Sequence, residues 1–265
     1  MHRNGRIFAM KDQRCAAVDD RAVKERRISH ALDSPFLVKT YYAFEKDLSY
    51  YTIMDYAEWG SLKEHAQTIR DFKSEELLKL ISAQVVLALE YMHACFCVHM
   101  DLKLNDILLF CDGYVKVGDF GVAQALGDVI FDFAGKRGNI DQQTSRTLIA
   151  QKVAMDWWAL GSLINELLPD SGGLPAGHYP KPAGNDVTDL LRKLHEASIL
   201  ERIGVMKGGS KDVKDHAWFK DVDFMEVYQK KIPMREKLPP NLERRDLIRT
   251  AKFTSNFPTT DYFEI

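Results

Sequence analysis

The chain lacks any apolar stretch near the roughly 18 uncharged residues that a membrane-spanning helix requires, and its opening, MHRNGRIFAMKDQRC, holds only a four-residue apolar run. Neither a membrane partner nor a secretory signal is therefore expected. Charge of one sign is missing as well: 36 Lys and Arg against 38 Asp and Glu leave a net charge of −2. No long-range field gathers nucleic acid or anionic lipid, so no nucleic-acid partner is expected and any recognition of phosphate has to be local. The four cysteines, Cys15, Cys95, Cys97 and Cys111, form no CxxC pair and no cluster with histidine, which excludes a zinc site. They are read as reduced, buried thiols of a cytoplasmic or nuclear protein. Internal repeats are absent. The 265 residues, 46% of them hydrophobic, suffice for one large domain or two joined lobes.

What is present starts β-rich. "GRIFAMK" predicts a strand ending near Lys11, and "AVDDRAVKERRISHAL" a surface helix that carries Glu25. "FLVKTYYAF" and "YYTIMDYA" predict two strands joined through "EKDLS". After "EWGS" the pattern turns helical. Ser74 can cap "SEELLKLISAQVVLALEYMHA", where Leu78, Ile81, Val85, Leu89 and Met92 form a core stripe. "DILLF" and "YVKVGDF" flank Cys111-Asp112-Gly113, a hairpin signal. "GVAQALGDVIFDFAGKRGNIDQQTSRTLIAQKV" predicts a long polar connection, "MDWWALGSLINELL" a buried helix, and "PDSGGLPAGHYPKPAGND" irregular chain. "VTDLLRKLHEAS" and "VKDHAWF" predict further helices, followed by a polar, proline-broken tail from about Ile232.

The segment "HMDLKLNDILLFCDGYVKVGDFG" carries the chemistry. If its two short strands pair, the chain returns to where it left and gathers Asp101, Lys103, Asp106 and Asp119 at one edge. Three acids and a lysine suit Mg²⁺ held by oxygen ligands and, through it, substrate phosphates. Phosphoryl transfer depends mostly on positioning and charge neutralisation, which these residue types supply.

Asp101-Leu102 with position 106, together with Asp119-Phe120-Gly121, "FAMK" and Glu25 in "KERRI", resembles in order the pattern of a eukaryotic protein kinase. "DWWALG", "ERIGVMKGGSKDVKDHAWFKDVDF" and "TSNFPTTDYFEI" narrow the resemblance to the AGC group of serine/threonine kinases, and within it to the cAMP- and cGMP-dependent kinases. The resemblance implies a bilobal α+β fold. Residues 1–56 would form a partial small lobe without the Gly-rich hairpin, 57–220 a larger helical lobe, and 221–265 an AGC-type tail. It also implies ATP and Mg²⁺ as cofactors and a protein substrate or partner. Asp101 would orient the accepting hydroxyl and Lys103 steady the transferred phosphate. Asp119 and Asp106 would hold Mg²⁺, Lys11 the phosphates, and Glu25 would position Lys11. Met54 would be the gatekeeper before hinge residues Asp55, Tyr56 and Ala57. Ala9 and Leu108 would sandwich the adenine, and Phe257 would reach it from the tail, with Tyr262 as the companion tail tyrosine.

The chain departs from that pattern in several places. The ten residues ahead of Lys11 contain the single glycine Gly5 rather than a phosphate-covering loop, and losing one preorganised donor of that kind costs about 10²–10³ in rate. Asp106 replaces an asparagine, with Asn105 one position early. Met100 replaces the arginine that meets a phosphorylated activation segment, and "FAGKRGNIDQQTSRT" replaces that segment's usual sequence. The alanine-proline-glutamate element is gone, so Arg202 should find another acid or be exposed. Glu166 matches an acid that reads substrate arginines, whereas Ser61 and Asn105 replace two others. Ser29 and Thr40 stand where the family stacks apolar side chains. Regulatory-subunit binding and cAMP control are not expected. Three readings follow: a Ser/Thr kinase of weak activity, a pseudokinase scaffold acting through protein binding, and an incomplete copy of a longer kinase.

Overall fold

The computed structural model describes residues 7–14, 20–46, 49–128, 142–169 and 185–242. Strands β1 (Phe8–Arg14), β2 (Thr40–Lys46) and β3 (Ser49–Asp55) form an antiparallel sheet in the order β1-β3-β2. β1 runs beyond the expected end at Lys11, because its ladder with β3 continues through Asp12↔Tyr51 to Arg14↔Ser49. Helix α1 (Asp20–Ala31) lies between β1 and β2 in the chain and buries Ala22 and Ile28.

The second lobe is built around α3 (Glu75–Ala94), which follows α2 (Leu62–Phe72). Ser74 caps α3 by accepting the Leu77 N–H at 3.2 Å, as the sequence predicts. Leu78, Ile81, Val85, Leu89 and Met92 are all buried, each contributing about 1.5–3 kcal/mol to the core. By length and composition α3 could cross a bilayer, yet most of it is buried within this fold. Two small antiparallel pairs follow: β4 (Cys97–Val98) with β7 (Gln124–Ala125), and β5 (Ile107–Leu109) with β6 (Val115–Val117). The β5–β6 turn places Gly113 at φ +82°, and a Cβ there would lie 2.4 Å from the Arg235 nitrogen, so only glycine fits.

Helix α4 (Gln142–Leu167) differs from expectation. It was expected to begin near Met155, but one continuous helix takes up the end of the polar connection. "QQTSRT" has no apolar stripe to announce a helix, and the turns that follow are what anchor it through Trp157, Leu160 and Ile164 in the core. α5 (Asp186–Leu194), α6 (Ser210–Lys214), α7 (Phe224–Tyr228) and α8 (Met234–Lys237) follow. The start of the tail is less polar in effect than its sequence suggests, since Met234, Leu238 and Leu242 are buried. The thiol expectation needs correction too. Cys97 is buried in β4, but Cys95 at the end of α3 and Cys111 in the hairpin turn are exposed, both being where the chain leaves regular structure. Cys15 and the stretch 170–184 lie outside the described residues.

The lobes meet where residues 36–38 run beside β6. Val38 N–H donates to Val117 O at 2.8 Å, and Val117 N–H to Phe36 O at 2.8 Å. This brings the inner face of the sheet over the hairpin. The architecture is the bilobal α+β one that the sequence implies.

Candidate active site

Alternation along β1 puts Ala9, Lys11 and Gln13 on one face. The Lys11 ammonium lies 2.5 Å from Glu25 Oε1 of α1 and 3.2 Å from Asp119 Oδ1 beyond β6. Gln13 Nε2 holds the other Glu25 oxygen at 3.0 Å. Burial alone would lower the Lys11 pKa, but the two carboxylates outweigh it and hold the amine above its ordinary range. For Asp119 burial works the opposite way and is again outweighed, so Lys11 keeps its carboxyl below the ordinary range. Three residues distant in sequence therefore form one charged cluster between sheet and hairpin.

Asp101 and Lys103 stand on the loop between β4 and β5, exposed and paired at 2.6 Å. Hydrogen bonding to Asp101 and the nearby Asp106 carboxylate raise the Lys103 pKa, with Asp119 adding a smaller effect. The charges of Asp101, Asp106 and Asp119 thus all act on Lys103, but the three acids do not come together as one metal-binding group. Asp106 is only 4% exposed. Burial pushes its carboxyl up to about 6, against the lowering influence of His99 and Lys103. Gly118 N–H donates to Asp106 O at 2.8 Å, which ties the two acidic ends of the hairpin together.

Asp106 and Asp119 offer oxygen only, and no group of three or more His, Cys, Asp or Glu side chains that could hold a metal forms among the described residues. Such a donor set fits Mg²⁺, which keeps waters and takes one or two carboxylates alongside substrate phosphates, and does not fit zinc.

Two residues here have left-handed backbones, Met100 at φ +76° and Asp119 at φ +56°. Conformations of this kind cost about 1–3 kcal/mol each and persist only where the surroundings impose them. At Met100 the imposing group is Asp156, buried on α4. Its carboxylate accepts the His99 N–H at 2.9 Å, the Met100 N–H at 2.8 Å and His93 Nε2–H at 2.8 Å. His99 in turn donates from Nε2 to Gly118 O at 2.9 Å, since a carbonyl can only accept. Asp156 is the residue that sequence reasoning missed. A lone acid before two tryptophans in an apolar helix was the available signal.

Ala9 pairs with Met54 in register, Asp55 and Ala57 are buried, and Leu108 stands on β5 across from the sheet. Gly118 faces Val38 and Leu108, where a Cβ would meet Val38 Cγ2 at 3.0 Å and Leu108 Cδ1 at 3.7 Å. Phe257 and Tyr262 lie outside the described residues.

Away from this cluster the pattern is rebuilt. Ser61 begins α2, and its N–H is capped by Glu64 Oε2 at 2.8 Å. The Glu166 carboxylate is bound by Lys63 of α2, and Arg70 Nη1 donates to its carbonyl at 2.9 Å. Arg202 neither meets an acid nor lies exposed, contrary to expectation. Its guanidinium donates to Glu196 O at 3.0 and 2.8 Å and to Ala154 O at 2.9 Å, and lies 4.8 Å from the Trp158 ring centroid. Carbonyl dipoles and an aromatic face take the place of a carboxylate. Ser29 and Thr40 are buried, and the Ser29 hydroxyl is satisfied by Arg26 O at 3.1 Å.

Comparison with known proteins agrees with this geometry. The family model for the protein kinase domain matches residues 1–215. The cAMP-dependent protein kinase catalytic subunit of Dictyostelium discoideum is 33% identical over 224 residues, covering 78% of this chain and 34% of that protein. The human cAMP-dependent protein kinase catalytic subunit PRKX is 32% identical over 249 residues, covering 89% and 67%. Human ribosomal protein S6 kinase alpha-4 is 29% identical over 263 residues, covering 88% and 34%. The chain thus spans between about a third and about two thirds of the length of these relatives. It belongs to the protein kinase domain family, in the AGC group and similar to cAMP-dependent protein kinases, a family that generally uses ATP and Mg²⁺.

Proposed function

We propose that this chain binds Mg²⁺-ATP and transfers phosphate slowly to serine or threonine of a protein. The observation that carries this reading is the Lys11 ammonium bonded at once to Glu25 and Asp119. An ammonium fixed by two carboxylates from different lobes is preorganised for phosphate oxygens, with Asp119 and Asp106 on hand for the metal. Mg²⁺, when bound, would neutralise phosphate charge. Asp101 would accept the proton of the attacking hydroxyl, and Lys103, paired to it, would balance the charge that develops. A cytoplasmic or nuclear location belongs to the same proposal, supported by free cysteines at Cys95, Cys97 and Cys111.

A second reading is a kinase fold that binds nucleotide and partner proteins without turnover. One observation favours it: Ser61 and Glu166, at positions that would face a protein substrate, are occupied with internal partners.

Thermal unfolding with increasing Mg²⁺-ATP tests the shared part, because a ligand of the native state raises stability by mass action. Saturable stabilisation is expected in the natural chain and should vanish in Lys11→Met and Asp119→Ala. No shift in the natural chain would overturn nucleotide binding. Phosphate transfer that disappears in Asp101→Asn establishes the first reading, and binding without transfer establishes the second.

A further inference from the structure

At the hinge residue Asp55, a partly buried cluster of polar groups joins the sheet to the hairpin. The Asp55 carboxylate, at the end of β3, accepts Tyr41 Oη–H of β2 at 2.8 Å, the Lys39 N–H at 3.2 Å and Lys116 Nζ–H of β6 at 2.6 Å. The Asp55 N–H returns to Lys39 O at 3.0 Å. The Lys116 ammonium also lies 4.9 Å from the Phe110 ring centroid. The Tyr41 ring meets Phe8 edge-on at 5.0 Å, and Phe8 is the register partner of Asp55. Burial alone would raise the Asp55 pKa, but its bonds to Lys116 and Tyr41 outweigh that and hold the carboxyl below its ordinary range.

Exposed ion pairs constrain little, because water and side-chain freedom compete with them. Here the Lys116 and Asp55 side chains are 17% and 6% exposed. Sliding β6 away from β3 would strand two charges out of water, which is strongly unfavourable. The location makes this matter for the site. β3 carries β1 and therefore Lys11 through the Thr52↔Lys11 register, whereas β6 leads directly into Asp119. The latch and the Lys11–Glu25–Asp119 cluster are formed in the same structure, so the latch accompanies the assembled arrangement.

We infer that Lys116 is a positioning residue for the nucleotide site: through Asp55 and Tyr41 it latches β6 to β3 and so keeps Asp119 against Lys11. Its functional consequence rests on the Mg²⁺-ATP reading above.

The test uses the full chain with Lys116→Met, Lys116→Arg and Asp55→Asn, titrated calorimetrically with Mg²⁺-ATP and with adenosine. Amide hydrogen exchange is followed in parallel without nucleotide. Lys116→Met should weaken Mg²⁺-ATP binding about tenfold, the scale expected for a small misplacement of binding groups. Adenosine, which lacks the phosphates, should lose much less, and Lys116→Arg should restore most of the loss. Exchange of the Val38 and Val117 N–H groups, which bridge the same layers, should quicken in Lys116→Met and Asp55→Asn while α3 stays protected, showing an intact fold. Unchanged or tighter Mg²⁺-ATP binding in Lys116→Met overturns the inference, as does an equal loss for adenosine. If the natural chain binds no Mg²⁺-ATP, the functional reading fails by itself. The exchange comparison then decides the latch, with identical rates overturning it.

Discussion

The cluster around Lys11 and the surface formed by α2 and α4 differ in where their paired charges come from. Around Lys11, charges from separate lobes are brought together and left partly open: Asp119 and Lys103 both remain substantially solvent-accessible while paired. Around α2 and α4, charges are matched within the fold, Glu64 capping α2 and Lys63 binding Glu166. Preorganised, partly open charge suits a ligand that brings its own charge. Charge already neutralised from within has little left to offer an arginine-bearing peptide. A kinase-type domain can therefore keep the parts for phosphate while its reading of protein substrates is redrawn.

The Lys11 side depends first on Asp156, which holds the start of the loop between β4 and β5 through the His99 and Met100 N–H groups and through His93. Asp156→Ala should destabilise the fold by about 3–5 kcal/mol, since it strips the partner from buried donors, as read by urea denaturation. A loss no larger than that of a surface substitution would remove Asp156 as the support of the loop.

A smaller effect should come from pH. Burial pushes the folded Asp106 carboxyl up to about 6, above the ordinary carboxylate range. Its contribution to stability is therefore fully present below the unfolded pKa and lost as pH rises through about 6. Mg²⁺ needs the ionised form, so stabilisation by Mg²⁺-ATP should grow from pH 5 to 7, with the opposite slope to the free protein. Asp106→Asn should flatten both slopes in thermal unfolding at a series of pH values. Persistence of the slopes would assign them to another group.

The smallest stability effect is expected on the substrate side. Lys63→Ala removes an exposed pair and should change stability by less than about 1 kcal/mol. By freeing Glu166 it should raise binding of an arginine-containing peptide, measured by fluorescence anisotropy, and erase part of the contrast. An unchanged affinity would show that Glu166 does not read substrate.

Sequence patterning announced the sheet, the capped α3 and the Asp-Gly hairpin because each is encoded locally, by alternation, an apolar stripe or a turn residue. The proximity of Asp101, Lys103, Asp106 and Asp119 was legible for a related reason: they lie on one hairpin and its approach, so strand pairing brings them near one another. What escaped was set by tertiary contact. The first turns of α4 have no stripe of their own and continue a helix anchored further along. Asp156 looks like one polar residue on an apolar helix until His99 and Met100 arrive from elsewhere. Arg202 was expected to find another acid or be exposed, whereas backbone carbonyl oxygens brought by the fold satisfy it in the interior. The Asp55 carboxylate gave no local signal, because its partners Tyr41 and Lys116 come from other strands.

The back of the hairpin turn has a consequence for how the protein is made. Lys230 pairs with Asp112 at 3.1 Å, and Tyr114 Oη–H donates to Ile232 O at 2.8 Å, each across 118 positions of chain. At typical synthesis rates those residues leave the ribosome about 6–24 s after the turn does. Throughout that interval Gly113, the Tyr114 hydroxyl and the Asp112 carboxylate lack these partners, although the Tyr114 ring can already pack on Phe36. The hairpin is thus translated early but sealed late.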